Sequence, residues 1–137
     1  MVEGAYYVQR QALSLQAFWV SLPFGALVAL VLLANNIRDI EHDRSRHIRT
    51  LAIVLGRRGG LTAYLLLMGA AFLGILALAG TLTPWVLIIF FTLPLAVRLL
   101  RQMIEAVPKD ADAQTAKLDT AFGLLLVASL VMEGLAG

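Results

Sequence analysis

Three oxygen-bearing side chains recur at every fourth position within Asn35-Asn36-Ile37-Arg38-Asp39-Ile40-Glu41-His42-Asp43-Arg44: the amide of Asn35 and the carboxylates of Asp39 and Asp43. Each step of four along an α-helix advances about 40° around the axis, so all three project from one face, a turn apart. Two carboxylates preceded by an amide suit a hard divalent cation. Magnesium prefers oxygen ligands and is usually held by one or two carboxylates plus substrate phosphates. Arg38, Arg44, Arg46 and Arg49 surround the acids, and the planar guanidinium fork matches phosphate oxygens. The pattern reads as half of a metal–diphosphate site at a membrane surface. The alternative is a solvated helix whose acids pair with Arg38, Arg44 or Arg46, each exposed pair contributing about 0–1 kcal/mol. His42 and His47 read as exposed polar residues, since neither shares a metal-like spacing with another histidine or a cysteine.

The elements that must carry this stretch are membrane-like. Hydrophobic residues make up 60% of the 137, and the mean hydropathy is +0.83. No Asp, Glu, Lys or Arg lies between Arg10 and Arg38, or between Arg58 and Arg98. Each gap can hold a segment of roughly 20 apolar residues, and the second can hold two. A soluble bundle would need polar helix faces, which are nearly absent. The expected fold is therefore an all-α integral membrane protein with four transmembrane helices, over about residues 13–34, 61–80, 84–100 and 120–136. Polar loops fall at 35–60 and 98–119, the first being the Asp-rich helical one. Cysteine is absent and the formal charge is only +2, so neither disulfide chemistry nor a nucleic-acid partner is indicated.

Local signals refine the spans. Pro23 and Pro94 predict kinks. Gly56 predicts the end of a short helical piece, and Gly59-Gly60 a break before the second span. Ala70 and Gly74 have the small-xxx-small spacing that admits a neighbouring helix. Thr83 and Pro84 suit the cap and first turn of the third span, and Trp85 an interfacial belt. Tyr64 and Phe72 read as lipid-facing or packing residues, and Glu133 as an exposed carboxylate. Tyr6 and Tyr7 are either interfacial anchors or, with Asn36, candidate cavity residues. Ten of the eleven Lys and Arg residues lie in the two polar loops. The positive-inside rule makes those loops cytoplasmic and accounts by itself for most of the arginines. Both chain ends then face outward with no targeting segment, and the simplest account is that an upstream part with its own spans is missing.

Asn35 to Arg44, followed by Arg49-Thr50-Leu51-Ala52 and Leu55-Gly56, resembles the second aspartate-rich motif of the UbiA superfamily of intramembrane aromatic prenyltransferases. With Gly4, Tyr6, Tyr7, Val8 and Gln9 upstream, the Asn-Asn-x-Arg-Asp form is most similar to the 1,4-dihydroxy-2-naphthoate polyprenyltransferases of menaquinone biosynthesis. The resemblance implies the C-terminal part of a nine-helix bundle in the inner (cytoplasmic) membrane, with the Asp-rich loop cytoplasmic. It implies a magnesium-dependent transfer from a polyprenyl diphosphate to an aromatic quinone precursor, giving demethylmenaquinone. Asp39 and Asp43 would hold the metal, with Asn35 assisting, and Arg38, Arg46 and Arg49 would contact the diphosphate. The acceptor could instead be 4-hydroxybenzoate, homogentisate or haem. The chain could also be an inactive or split membrane fragment needing a partner with the first motif, for which it offers no candidate: the Asp110-Ala111-Asp112 pair has the wrong spacing. His47-Ile48 stands where the family usually has Gly-Lys, removing one expected diphosphate contact.

Overall fold

A computed structural model describes Tyr7, residues 15–81 and residues 83–136. It is helical almost throughout, with no strand among the described residues. Helix α1 spans Leu15–Arg38, α2 Ile40–Ser45 and α3 Leu51–Thr81; a 3-10 stretch, Pro84–Thr92, leads into α4, Leu93–Glu105, and α5 spans Ala111–Ala136. Four segments are long and apolar enough to cross a membrane: Ala17–Arg38, Leu51–Gly80, Pro84–Glu105 and Ala111–Leu135. The chain is a multi-pass membrane protein.

Each span buries a single stripe. On α3 it is Tyr64, Met68, Ala71, Ile75 and Leu78; on α5 it is Ala111, Thr115, Leu118, Phe122 and Leu126. These spacings of three and four are the seam of a packed helix. The opposite faces are equally apolar but exposed, with Leu32, Leu66, Leu73, Phe91 and Leu124 pointing outward. In water such faces would aggregate. In lipid they need no cover, which is why the sequence lacks the polar faces of a soluble bundle.

Close approach is set by two glycines. A methyl at Gly74 would lie 2.8 Å from Pro23 Cγ, and one at Gly123 2.9 Å from the Phe24 ring. Thus α3 and α5 both seat against the proline-containing turn of α1. The small-xxx-small pair is used asymmetrically: Gly74 makes the contact while Ala70 is exposed. Helix α1 continues through Pro23 as one helix. Phe72 centres an aromatic cluster, its ring 5.7 Å from that of Phe90 and 5.6 Å from that of Phe122, which makes it a packing residue.

The expected break at Gly59-Gly60 does not occur. The break lies at Gly56, whose φ of 69° and ψ of 169° interrupt α3. Beyond it the helix passes through both glycines, and Gly60 serves packing: a methyl there would meet Ile37 Cγ1 at 3.1 Å. The polar segment over 35–60 is mostly helical, as expected around its acids, whereas the fourth helix begins at Ala111 rather than near 120. Apolarity measures only the lipid-embedded length of a helix, whereas these helices extend into the polar zone beyond it.

The third span begins as foreseen, with Thr83 Oγ1 accepting from Trp85 N at 3.2 Å and Pro84 in the first turn. Its first nine residues are wound as a 3-10 helix, unusually long for that form. Pro94 gives a local reason. It has no N–H for the Phe90 carbonyl, and Leu93 N bonds that carbonyl instead, while Thr92 Oγ1 donates to the Ile89 carbonyl at 2.8 Å. Far from Asp39, Thr83 Oγ1 donates to Glu133 at 2.6 Å, tying the turn to the end of α5.

Candidate functional site

At the other end of the bundle, α1 passes into α2 with little interruption. Asp39 N bonds Asn35 O at 3.0 Å, and Asp43 N bonds Asp39 O at 2.8 Å. The helical i to i−4 pattern thus runs through the non-helical Asp39, keeping Asn35, Asp39 and Asp43 on one side. All three are partly exposed, whereas Ile37 and Ile40 between them are buried and Glu41, His42 and Arg44 are exposed. The ladder lies along the rim between core and solvent.

Arg38 organises the rim. Its Nε and Nη2 donate to the two carboxylate oxygens of Asp39 at 2.7 and 2.8 Å, a bidentate pairing. Nη2 also donates to Asn35 Oδ1 at 2.6 Å. Nη1 donates to the Asp112 carboxylate and, at 3.5 Å, to the Lys109 carbonyl. One guanidinium therefore gathers two rungs of the ladder and the start of α5. The side chains of Arg38, Asp39 and Asp112 are 26%, 31% and 35% exposed, so water screens the cluster. The Arg38 hydrogen bonds hold the Asp39 carboxyl below the usual carboxylate range, against the opposing effect of its partial burial.

The remaining candidates divide. Asp43 has no ion-pair partner within 4 Å among the described residues, and Arg44 pairs instead with Glu41 at 3.6 Å on an exposed surface. Arg46, Arg49 and His47 are exposed, and Asn36 is partly so. Tyr7 is exposed, and Tyr6 lies outside the described residues. Asp112 was missed by spacing, being 74 residues from Arg38. Only the packing of α5 on α1 brings it there, and no local pattern signals it.

His47 is the one non-glycine described residue with positive φ, at 58°. That left-handed turn reverses the chain between α2 and α3, and glycine adopts it at no steric cost.

No group of three or more His, Asp or Glu side chains among the described residues is arranged to hold a metal ion. The donor chemistry nevertheless fits part of a magnesium site, because two carboxylates and an amide are the oxygen ligands magnesium accepts beside waters and phosphates.

A helical membrane bundle with an acid–arginine cluster at one rim is the class of protein these features define. The chain belongs to the UbiA prenyltransferase family, which matches it over residues 1–130. It is 30% identical to the 1,4-dihydroxy-2-naphthoate octaprenyltransferase of Bacillus subtilis, over 94% of this chain and 43% of that one. It is also 30% identical to the human UbiA prenyltransferase domain-containing protein 1, over 93% of this chain and 38% of that one. The Drosophila melanogaster homologue of the latter is 32% identical over 80% of this chain and 32% of its own. The chain thus spans about a third to two fifths of the length of these relatives. No solved structure matches it significantly.

Proposed function

We propose that this chain carries the second Asp-rich half of a site that transfers a polyprenyl group from its diphosphate to an aromatic acceptor, 1,4-dihydroxy-2-naphthoate. The product would be demethylmenaquinone. The observation that carries the reading is the ladder of Asn35, Asp39 and Asp43 along the rim, on hydrogen-bonded turns and open on one side. Family membership and the likeness to the Bacillus subtilis octaprenyltransferase support the reaction class and the acceptor.

Asp39 and Asp43 would hold magnesium, with Asn35 contributing its amide oxygen. Bound there, the ion would offset charge building on the diphosphate as the carbon–oxygen bond breaks. Arg38 keeps Asp39 ionised and fixes its orientation. Arg46 and Arg49, exposed beside the ladder, supply donors to the diphosphate oxygens. The prenyl chain lies along apolar helix surface, and a ring carbon of the acceptor attacks the allylic carbon and gives up its carboxylate. The excess of basic residues in the two polar loops supports a cytoplasmic position for this rim, at the inner membrane.

The test is magnesium-dependent transfer from a labelled polyprenyl diphosphate in membranes carrying the protein. Asp39→Asn and Asp43→Asn should each lower transfer on the order of a hundredfold or more at unchanged protein level. Turnover within a few-fold of the parent in either variant refutes the assignment. A second reading has its own support in the absence of a three-carboxylate cluster among the described residues. In it the chain is inert until paired with a polypeptide bearing the first motif, and transfer appearing only on co-expression would identify that case.

A further inference from the structure

Two cations away from the rim cluster share a pocket. Between α4 and α5 lies a half-open cavity of about 280 Å³ whose lining includes Arg98, Gln102, Asp110, Gln114 and Lys117. Neither Arg98 nor Lys117 has an acidic partner within 4 Å among the described residues. The one carboxylate in the wall, Asp110, accepts from Gln114 Nε2 at 2.9 Å. Two positive charges therefore face one negative charge that is already engaged.

The depth of these cations is set by the helices. The 3-10 winding lengthens the third span, so Pro84 to Val97 covers about 26 Å. The apolar part of α5 after Asp119, residues 120–136, covers about 26 Å. Both lengths approach the roughly 30 Å hydrocarbon core, so Arg98 and Lys117 emerge together at its edge, where lipid phosphates sit. Arg98 also borders a second, open groove of about 640 Å³ along α4, lined by Phe90, Leu93, Pro94 and Val97 towards the core and by Arg101, Gln102 and Glu105 towards the polar end. Across both cavities Arg98, Arg101 and Lys117 outnumber Asp110 and Glu105. The face opposite, Ala96, Leu99 and Met103, is buried in the bundle, so the groove faces outward.

We propose that this composite is a binding site for an anionic phospholipid. The phosphate is held between Arg98 and Lys117 with the Gln102 and Gln114 amides, and one acyl chain lies against Phe90, Leu93, Pro94 and Val97. A zwitterionic lipid brings a cation of its own to a wall that already has an excess of them. A basic pocket between transmembrane helices at the headgroup level is suited to anionic headgroups.

The experiment is lipid retention by the purified chain in nanodiscs of mixed phosphatidylglycerol and phosphatidylcholine, read by native mass spectrometry after mild delipidation. The parent should retain phosphatidylglycerol preferentially. The R98Q/K117Q variant should lose that preference by roughly thirtyfold, at the scale of attraction of two basic side chains to an anionic surface, and each single variant should lose part. R57Q/R58Q removes the same charge from exposed positions outside the pocket and should behave as the parent. Both positions in the pocket are exposed, so neutralising them leaves the core intact. Unchanged retention in R98Q/K117Q overturns the proposal, as does an equal loss in R57Q/R58Q. Displacement of the lipid by inorganic pyrophosphate also overturns it, because the pocket would then be a diphosphate site.

Discussion

Gly56 and Gly69 lie on the same helix, and beyond the local backbone neither has an atom within 4 Å of where a β-carbon would stand. Substitution by alanine at either position therefore meets no neighbouring side chain or helix. What differs is the backbone. Gly56 has φ 69° and ψ 169°, a region essentially closed to side-chain-bearing residues. Gly69 sits in ordinary helix, where glycine costs roughly 0.5–1 kcal/mol relative to alanine. Gly56→Ala should destabilise by about 1–3 kcal/mol, the cost of such strain. Gly69→Ala should stabilise by roughly 0.5–1 kcal/mol. The first shift changes the folded-to-unfolded ratio by about five- to more than a hundredfold. Equilibrium unfolding in mixed micelles, followed by the fluorescence of Trp19 and Trp85, reads both signs. The bend at Gly56 also sets how the buried Ala52 returns against the bundle beside α2, so Gly56→Ala should loosen the rim first. Faster hydrogen exchange over residues 44–55 than over α5 would report that. If Gly56→Ala matched the parent, or if both substitutions moved stability in the same direction, the kink would not rest on positive φ.

His47→Gly should stabilise by about 0.5–1 kcal/mol in the same unfolding assay, because it relieves a side chain at φ 58°. The Arg38–Asp39 pair should make stability depend on pH in acid. Its contribution is present above the unfolded carboxyl value of 3.8 and is lost as pH falls through the lower folded value. Screening keeps it to about 1 kcal/mol or less, and Arg38→Gln should flatten that limb of the stability profile. Tyr64→Phe should cost roughly 0.5–1.5 kcal/mol by removing a buried 2.9 Å hydrogen bond to Thr115 Oγ1, measured by the shift in unfolding midpoint.

Much of the architecture was legible because the bilayer imposes a coarse rule. Three charge-poor stretches, one of them long enough for two spans, give four spanning helices, and Thr83-Pro84 marks the start of the third directly. The run from Asn35 to Asp43 was legible too, since its period of four survives as hydrogen-bonded turns. The errors have a common physical origin. Consecutive glycines in a soluble sequence signal a break, but in lipid Gly60 is retained for the close passage of Ile37, and only Gly56 needs the conformation that ends a helix. Likewise, the 3-10 winding before Pro94 follows from where a missing donor sends its neighbours' hydrogen bonds, which hydropathy does not record. Asp112 was unreadable for a different reason, since its role exists only once α5 packs beside α1.

That last contact changes how the rim must be understood. Arg38 is formally balanced by one of its two carboxylates, so the group of Arg38, Asp39 and Asp112 carries one net negative charge when ionised. Asp43, with no ion-pair partner among the described residues, adds a second. On the proposed reading this excess of two matches one divalent cation, and the charge comes from two separate helical segments rather than from the motif alone. The guanidinium then does more than offer donors to a diphosphate. By binding both oxygens of Asp39 and reaching Asp112, it fixes the first helix to the last, so the ladder keeps its position relative to the spans that border the lipid. A lysine at position 38 would preserve the charge but not the simultaneous reach to Asn35, Asp39 and Asp112, because an ammonium lacks the planar fork that makes the paired contact.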